Sequence, residues 1–152
     1  QGTNVDIIMT KNACEFITPI TLETLSGNKV ITDMFERPDY IDVKHISLAK
    51  KADIFLVVPA TANIIGKVAN GIADDMLSTT IMATKSTVVF VPAMNTGMYE
   101  NPIVQNNFEK LKKYGYKIIE PTVGHLACGD EAKGKLPANN EIIDYIKTLI
   151  KE

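Results

Sequence analysis

The sequence lacks several features that would point to particular classes of protein. It has no tryptophan, only two cysteines in 152 residues, and no hydrophobic run long enough to cross a bilayer. Cys14 and Cys128 do not make a disulfide framework, and no cysteine or histidine grouping has the spacing of a metal site. We therefore expect a reduced, cytoplasmic protein with no metal and no membrane partner.

Excess positive charge is also missing. Sixteen basic residues against eighteen acidic ones give a net charge of −2, and no basic stripe is interleaved with aromatic residues. A nucleic-acid partner is therefore not expected. The glycine fingerprint of dinucleotide-binding folds and the P-loop are absent as well.

The pattern that is present indicates one domain over residues 1–152, since hydrophobic residues make up 45% and charged residues 22%. Short apolar runs predict strands at 5–9, 54–58, 87–91 and 117–119. Helical spacing or caps predict helices at 13–17, 22–25, 64–72, 76–84, 103–114 and from about 141 onward. Residues 28–44 and 124–136 are predicted to be loops. Strands that alternate with helices favour an α/β fold, an open parallel sheet with helices on both faces.

Polar residues follow three of the predicted strands, at 10–12, 59–63 and 92–95. Parallel strands all end at one edge of a sheet, so these loops should line a common ligand site. The small side chains of Ala60, Ala62 and Ala93 would let a flat ligand approach the backbone, and helix N-termini favour anionic groups. The pattern alone predicts a ligand site and does not identify the ligand.

Four segments resemble motifs of the flavin-dependent cysteine decarboxylases, in the family's order along the chain. They are His-Ile-Ser-Leu at 45–48, Pro-Ala-Thr-Ala-Asn at 59–63, Pro-Ala-Met-Asn at 92–95 followed by Met98 and Tyr99, and the clamp at 126–135. The resemblance covers essentially the whole chain. Three positions depart from the family pattern: Thr61 replaces serine, Ile64 replaces threonine and Tyr99 replaces tryptophan.

The resemblance implies a three-layer, Rossmann-like (flavodoxin-like) flavoprotein domain that binds FMN, in a homotrimer with FMN between subunits. The family's first strand and phosphate-binding turn have no counterpart here, so about one N-terminal βα unit is expected to be absent from this chain. Flavin contacts carry over to seven residues: Thr10, Lys11, Asn12, Thr61, Ala62, Asn63 and Ala93.

Catalytic roles carry over in the same way. His45 would be a base or proton shuttle, and Cys128 would return a proton after the loss of CO2. Asn95 would hold the substrate carboxylate. His125 and Ala127 would contact substrate, and the lysines at 133 and 135 are both candidates for its phosphate.

Cys128 favours the branch of the family that acts in coenzyme A biosynthesis, because the branch that modifies peptide C-termini lacks this cysteine. A peptidyl-cysteine decarboxylase and a catalytically silent, flavin-binding regulatory subunit remain as alternatives. From the residues alone, His45 could be a capping residue, Cys128 a buried small hydrophobe and Asn95 a turn amide.

Overall fold

The structure is a computed structural model that describes residues 2–35, 43–125 and 131–150. It divides into two compact units. The first comprises Gln1–Lys51 with Ala73–Lys85, and the second comprises Ala52–Ile72 with Ser86–Glu152. The single domain over residues 1–152 stays a prediction.

Helices and strands alternate through much of the chain. After a short 3₁₀ helix at Ala13–Glu15, the helices are α1 (Pro19–Ser26), α2 (Lys44–Lys51), α3 (Ala62–Ala69), α4 (Met76–Ala83), α5 (Thr96–Tyr99), α6 (Pro102–Lys113) and α7 (Asn139–Ile150). The strands are β1 (Ile54–Ala60), β2 (Thr87–Pro92), β3 (Lys117–Ile118), β4 (Thr122–His125) and β5 (Glu131–Lys135). Within the described ranges, no helix is both long and apolar enough to cross a membrane.

The start of the first unit forms less regular structure than its sequence predicts. In place of a strand at 5–9 there is one parallel bridge, between Ile8 and Ile31. The helix predicted at 13–17 is shortened to a 3₁₀ turn. Pro19 accounts for part of this difference, because it holds Thr18 in an extended conformation and starts the next helix, α1.

Helices α2 and α4 pack against each other in the first unit. Asp75 caps α4 as predicted: its carboxylate accepts a hydrogen bond from the Ser78 amide at 2.8 Å, and the Ser78 hydroxyl accepts one from the Asp75 amide. At the other end of α4, the Thr84 hydroxyl donates to the carbonyl of Ala49 in α2 at 2.9 Å. The two helices are therefore joined by a polar contact as well as by packing.

The second unit is built on a parallel sheet with the order β1–β2–β3. Strand β2 is central and buried from Val88 to Pro92, as expected for a continuous β-branched run. Helix α6 packs on β3 and against α3. Asn101 caps α6 by accepting a hydrogen bond from the Ile103 amide at 2.9 Å, and Pro102 is the first helical residue, both as predicted.

The prediction of a loop over residues 124–136 is wrong at 124–125 and 131–135, because β4 and β5 pair there as the antiparallel strands of a hairpin, while residues 126–130 lie outside the described residues. The register of the pair shifts between Thr122, opposite Lys135, and Val123, opposite Lys133. Gly134 is the extra residue at this bulge, with a φ of 143° that favours glycine. The Glu-Ala-Lys-Gly-Lys sequence of β5 has no apolar alternation, which is why periodicity does not reveal the strand.

Candidate active site

The carboxyl ends of β1 and β2 meet in the second unit. Ala60 lies opposite Pro92 in the strand register, and the Ala93 amide donates to the Ala60 carbonyl at 3.2 Å. The segments at 59–63 and 92–95 are thus brought together at one sheet edge, as the parallel arrangement predicts.

Small side chains form this edge. Ala60 is fully buried, and Ala62 and Ala93 are half-buried. Thr61 is the exposed N-cap of α3, and its side chain makes no capping hydrogen bond. The first turn of α3 therefore presents its positive end beside residues that carry only one side-chain carbon. These residues fit a flat ligand with anionic character, such as a flavin.

The loop after β2 is anchored to the hairpin by two hydrogen bonds. The Met94 amide donates to the Gly134 carbonyl, and the Thr96 hydroxyl donates to the Lys133 carbonyl, each at 3.0 Å. Asn95 lies between these two anchors. The bulge at Gly134 explains the first of them, because it disrupts the regular ladder at this residue.

Asn95 is exposed and serves as the N-cap of α5, accepting a hydrogen bond from the Gly97 amide at 2.9 Å. The sequence allows two interpretations of this residue, a turn amide and a ligand of the substrate. The cap shows that Asn95 acts as a turn amide through its side-chain oxygen, and its contact with substrate stays a prediction.

The predicted flavin contacts Thr10, Lys11 and Asn12 lie in the first unit, in the turn before the 3₁₀ helix. The Thr10 hydroxyl accepts a hydrogen bond from the Ala13 amide at 3.1 Å, while Asn12, at the N-cap position, makes no side-chain capping bond. Their place in a common flavin site stays a prediction.

His45 also lies in the first unit, in the first turn of α2, where it is half-buried. The predicted clamp residues Ala127 and Cys128 lie outside the described residues. His125 is the last residue of β4, where it pairs with Glu131, the first residue of β5. The hairpin strands thus lead into and out of the segment that contains Cys128.

Sequence reasoning missed Glu120, which forms a polar cluster with Tyr99 and Lys133. The Tyr99 hydroxyl donates to the Glu120 carboxylate, and the Lys133 ammonium lies 3.4 Å from that carboxylate and 5.1 Å from the centre of the Tyr99 ring. Glu120 comes just after the third parallel strand, β3, so the rule that located the other loops could have identified it.

Residues 1–151 match the sequence model of the flavoprotein family. The chain belongs to this family. It is 51% identical over 145 residues to the coenzyme A biosynthesis bifunctional protein CoaBC of Borreliella burgdorferi, covering 95% of this chain and 37% of that protein. It is 45% identical over 148 residues to a protein of Streptococcus mutans named "probable phosphopantothenoylcysteine decarboxylase", covering 96% of this chain and 83% of that protein. The chain of this flavoprotein thus spans little more than a third of the bifunctional relative and most of the smaller one.

Solved structures resemble this flavoprotein over nearly its whole length. The FMN-dependent cysteine decarboxylase SpaF has a TM-score of 0.82 and 31% identity, covering 97% of this chain and 79% of that one. A PPC decarboxylase mutant complexed with pantothenoylaminoethenethiol has a TM-score of 0.85 and 26% identity, covering 99% and 85%. The resemblance to flavin-dependent cysteine decarboxylases and the flavodoxin-like α/β fold class are both confirmed.

Proposed function

We propose that this chain is the decarboxylase domain that converts phosphopantothenoylcysteine to 4′-phosphopantetheine and CO2, with FMN as cofactor. The observation that carries the proposal is the anchoring of the loop at Met94 and Thr96 to β5. It places Asn95 beside the hairpin whose connecting segment contains Cys128. Two relatives named for coenzyme A biosynthesis and for this decarboxylation support the choice of substrate.

The edge formed by Ala60, Ala62 and Ala93 fits a flavin ring, and the N-terminus of α3 fits its anionic character. Bound FMN would supply two-electron redox chemistry, accepting a hydride from the carbon that bears the substrate thiol and later returning it. Thr61, Ala62, Asn63 and Ala93 would hold it. Thr10, Lys11 and Asn12 are proposed as flavin contacts as well, on their match to the family's motif.

The substrate carboxylate must be held without over-stabilising the charge that is lost as CO2. Asn95 suits this task, because its amide nitrogen is a neutral donor whose direction is set by the cap on Gly97. His125 and Ala127 would contact the rest of the substrate. For the substrate phosphate, Lys135 is favoured over Lys133, because the charge of Lys133 is already balanced by Glu120.

Two proton transfers remain for the side chains. His45 would take the proton of the substrate thiol while the carbon that bears this thiol is oxidised to a thioaldehyde. When CO2 leaves, the C=S group of the thioaldehyde would accept the electron pair, which gives an ene-thiolate. Cys128 would give a proton to the carbon that lost CO2 while the hydride returns to its neighbour. With the proton held by His45 returned to the sulfur, the sum is a thiol, as in 4′-phosphopantetheine.

A peptidyl-cysteine decarboxylase is the second candidate, because the likeness to the FMN-dependent cysteine decarboxylase SpaF does not specify the molecule that carries the cysteine. A peptide with a C-terminal cysteine, offered in competition with phosphopantothenoylcysteine, separates the two. A regulatory flavoprotein without turnover is the third, and purified protein that decarboxylates neither substrate would favour it.

We further propose that the enzyme is cytoplasmic and homotrimeric. Large apolar side chains are exposed within each unit, for example Phe16 at 91% and Ile103 at 72%. Such residues are available for contacts between subunits. Light scattering of the purified protein would give three chains for each particle, and a monomer would contradict the trimer.

The decisive experiment replaces Cys128 by serine in the flavin-loaded protein. We expect CO2 release to continue while the product changes from the thiol to the oxidised ene-thiol and the flavin is left reduced, because without the proton from Cys128 the hydride is not returned. Mass spectrometry distinguishes the two products by two hydrogens. An unchanged thiol product would contradict the role of Cys128.

A further inference from the structure

Three elements of the second unit meet at the carboxylate of Glu120. Tyr99 is the last residue of α5, Glu120 follows β3, and Lys133 is the middle residue of β5. The carboxylate accepts the Tyr99 hydroxyl hydrogen bond and lies 3.4 Å from the ammonium of Lys133. One side chain thus connects α5, the helix that follows Asn95, with β5, which forms the end of the clamp.

Tyr99 is held firmly at this point. It is only 7% exposed, and its ring lies 5.7 Å from the ring of Phe108 in α6. The Gln105 side-chain amide donates to its backbone carbonyl. Because the ring is fixed from the α6 side, its hydroxyl offers Glu120 a donor with a defined direction.

The charges of the cluster suit this arrangement. Burial acts to raise the pKa of Glu120, but the hydrogen bond from Tyr99 and the nearby Lys112 and Lys133 outweigh it and hold the pKa below its usual value. Burial, followed by the hydrogen bond to Glu120, raises the pKa of Tyr99. At neutral pH the carboxylate is therefore ionised, and the phenol is a protonated donor.

Either ion pair of Glu120 would contribute little alone, because the side chains of Lys112, Glu120 and Lys133 are about half exposed. The hydrogen bond from the buried Tyr99 phenol contributes more than these ion pairs, since a hydrogen bond to an ionised acceptor is stronger and more directional than a neutral one. The cluster also lies next to the backbone contacts of Met94 and Thr96 with β5.

We propose that Glu120 is a positioning residue that, through Tyr99 and Lys133, keeps β5 of the hairpin against the Asn95 loop. We call the contacts of Glu120 with Tyr99 and Lys133 the tie. Its consequence for the reaction rests on the proposed function: the tie sets how efficiently the ene-thiol is protonated before it leaves the site. Glu120 itself touches neither substrate nor cofactor in this scheme.

The test compares Glu120→Gln with Glu109→Gln in the full-length, flavin-loaded protein. Glu109 is a matched control because it also pairs with Lys112, at 3.2 Å, but is on the exposed surface of α6. Within the described part of the chain it makes no hydrogen bond or ion pair with Tyr99 or Lys133. In Glu120→Gln we expect the ratio of ene-thiol to thiol product to rise about tenfold, the factor for one charge-assisted hydrogen bond. In Glu109→Gln it should stay at the wild-type value.

Hydrogen exchange supplies a readout that does not depend on turnover. The Met94 amide, which donates to Gly134, should exchange about tenfold faster in Glu120→Gln, whereas the Ala93 amide, which donates to Ala60, should not change. Tyr99→Phe keeps the ring and removes the hydroxyl, so it should reproduce both effects even if Glu120→Gln fails to fold. Lys133→Arg keeps the positive charge beside Glu120 and Tyr99 that Lys133→Met removes, so both effects should be smaller in Lys133→Arg than in Lys133→Met.

The outcomes separate the two proposals. If hydrogen exchange of the Met94 amide is unchanged in Glu120→Gln and Tyr99→Phe, Glu120 does not hold β5 against the Asn95 loop, whatever reaction the protein catalyses. Faster exchange with an unchanged product ratio would overturn its role in positioning the clamp. Faster exchange in a protein that releases no CO2 would support the tie and contradict the proposed function.

Discussion

The Met94 amide donates a hydrogen bond to the carbonyl of Gly134 at 3.0 Å, which joins the loop after the central strand to the bulged strand of the hairpin. The hydrogen bond joins two backbone groups and depends on the backbone conformation at Gly134. The φ of 143° at Gly134 allows the bulge, and the bulge interrupts the ladder at the residue whose carbonyl meets Met94.

Replacing Gly134 by alanine should therefore damage the site as well as the stability of the chain. A side chain at this φ costs about 1–3 kcal/mol in the free energy of unfolding. Gly115→Ala is the matched control, because Gly115 has a φ of 90° in open space beyond the end of α6. Both variants should lose stability in urea, but only Gly134→Ala should raise KM for substrate. An equal rise in KM in both would contradict a specific role for the bulge.

Asn95→Asp distinguishes the role of Asn95 as the N-cap of α5 from its proposed hydrogen bond to the substrate carboxylate. Aspartate keeps the oxygen that accepts from the Gly97 amide, so the free energy of unfolding should stay near that of the wild type. It loses the amide donor and adds a negative charge, so KM should rise by about tenfold to a hundredfold.

The same substitution at the next cap supplies the control. Asn101 accepts from the Ile103 amide at the same 2.9 Å, so Asn101→Asp alters an equivalent cap in a different helix. Steady-state kinetics should show an unchanged KM for Asn101→Asp. If Asn95→Asp also leaves KM unchanged, Asn95 is only a turn amide.

Ala93→Leu tests the proposed flavin edge. A larger side chain where β2 ends beside Ala60 should weaken FMN binding by about 1–3 kcal/mol, since inserted carbons overfill a close contact. Ala83→Leu, at the exposed end of α4, makes the same change elsewhere. The flavin absorbance of the purified proteins would show the difference. If Ala93→Leu binds as much FMN as the wild type, the flavin ring does not lie against this edge.

Sequence reasoning located the parts of the site that depend on local chemistry. The carboxyl ends of β1 and β2 follow from two β-branched runs, and the caps at Asp75 and Asn101 follow from residue type. These features are set by a few neighbouring residues, which is why a single sequence is enough to predict them.

The hairpin and the Glu120 cluster depend on contacts between distant residues. Strand β5 has a single small apolar side chain, Ala132, and no apolar face to give a periodic signal. Its pairing with β4 is formed by the backbone ladder, which is interrupted at the glycine bulge. Lys133 was predicted only as a candidate for the substrate phosphate, on charge alone. Its partners, Tyr99 and Glu120, come from positions 34 and 13 residues away, and charge in a sequence does not show which charges meet.

The pH dependence of stability provides a test of Glu120 that requires no substrate. Its pKa is lowered from 4.5 in the folded chain, so between 4.5 and that lower value the unfolded chain binds more protons than the folded chain. The carboxylate therefore stabilises the fold above pH 4.5, and this contribution is lost as the pH falls through the folded pKa. Urea unfolding should show a steeper loss of stability below pH 4.5 in the wild type than in Glu120→Gln, whereas Glu109→Gln should follow the wild type. Parallel curves for the wild type and Glu120→Gln would mean that the carboxylate gains nothing from Tyr99 and Lys133 in the folded state.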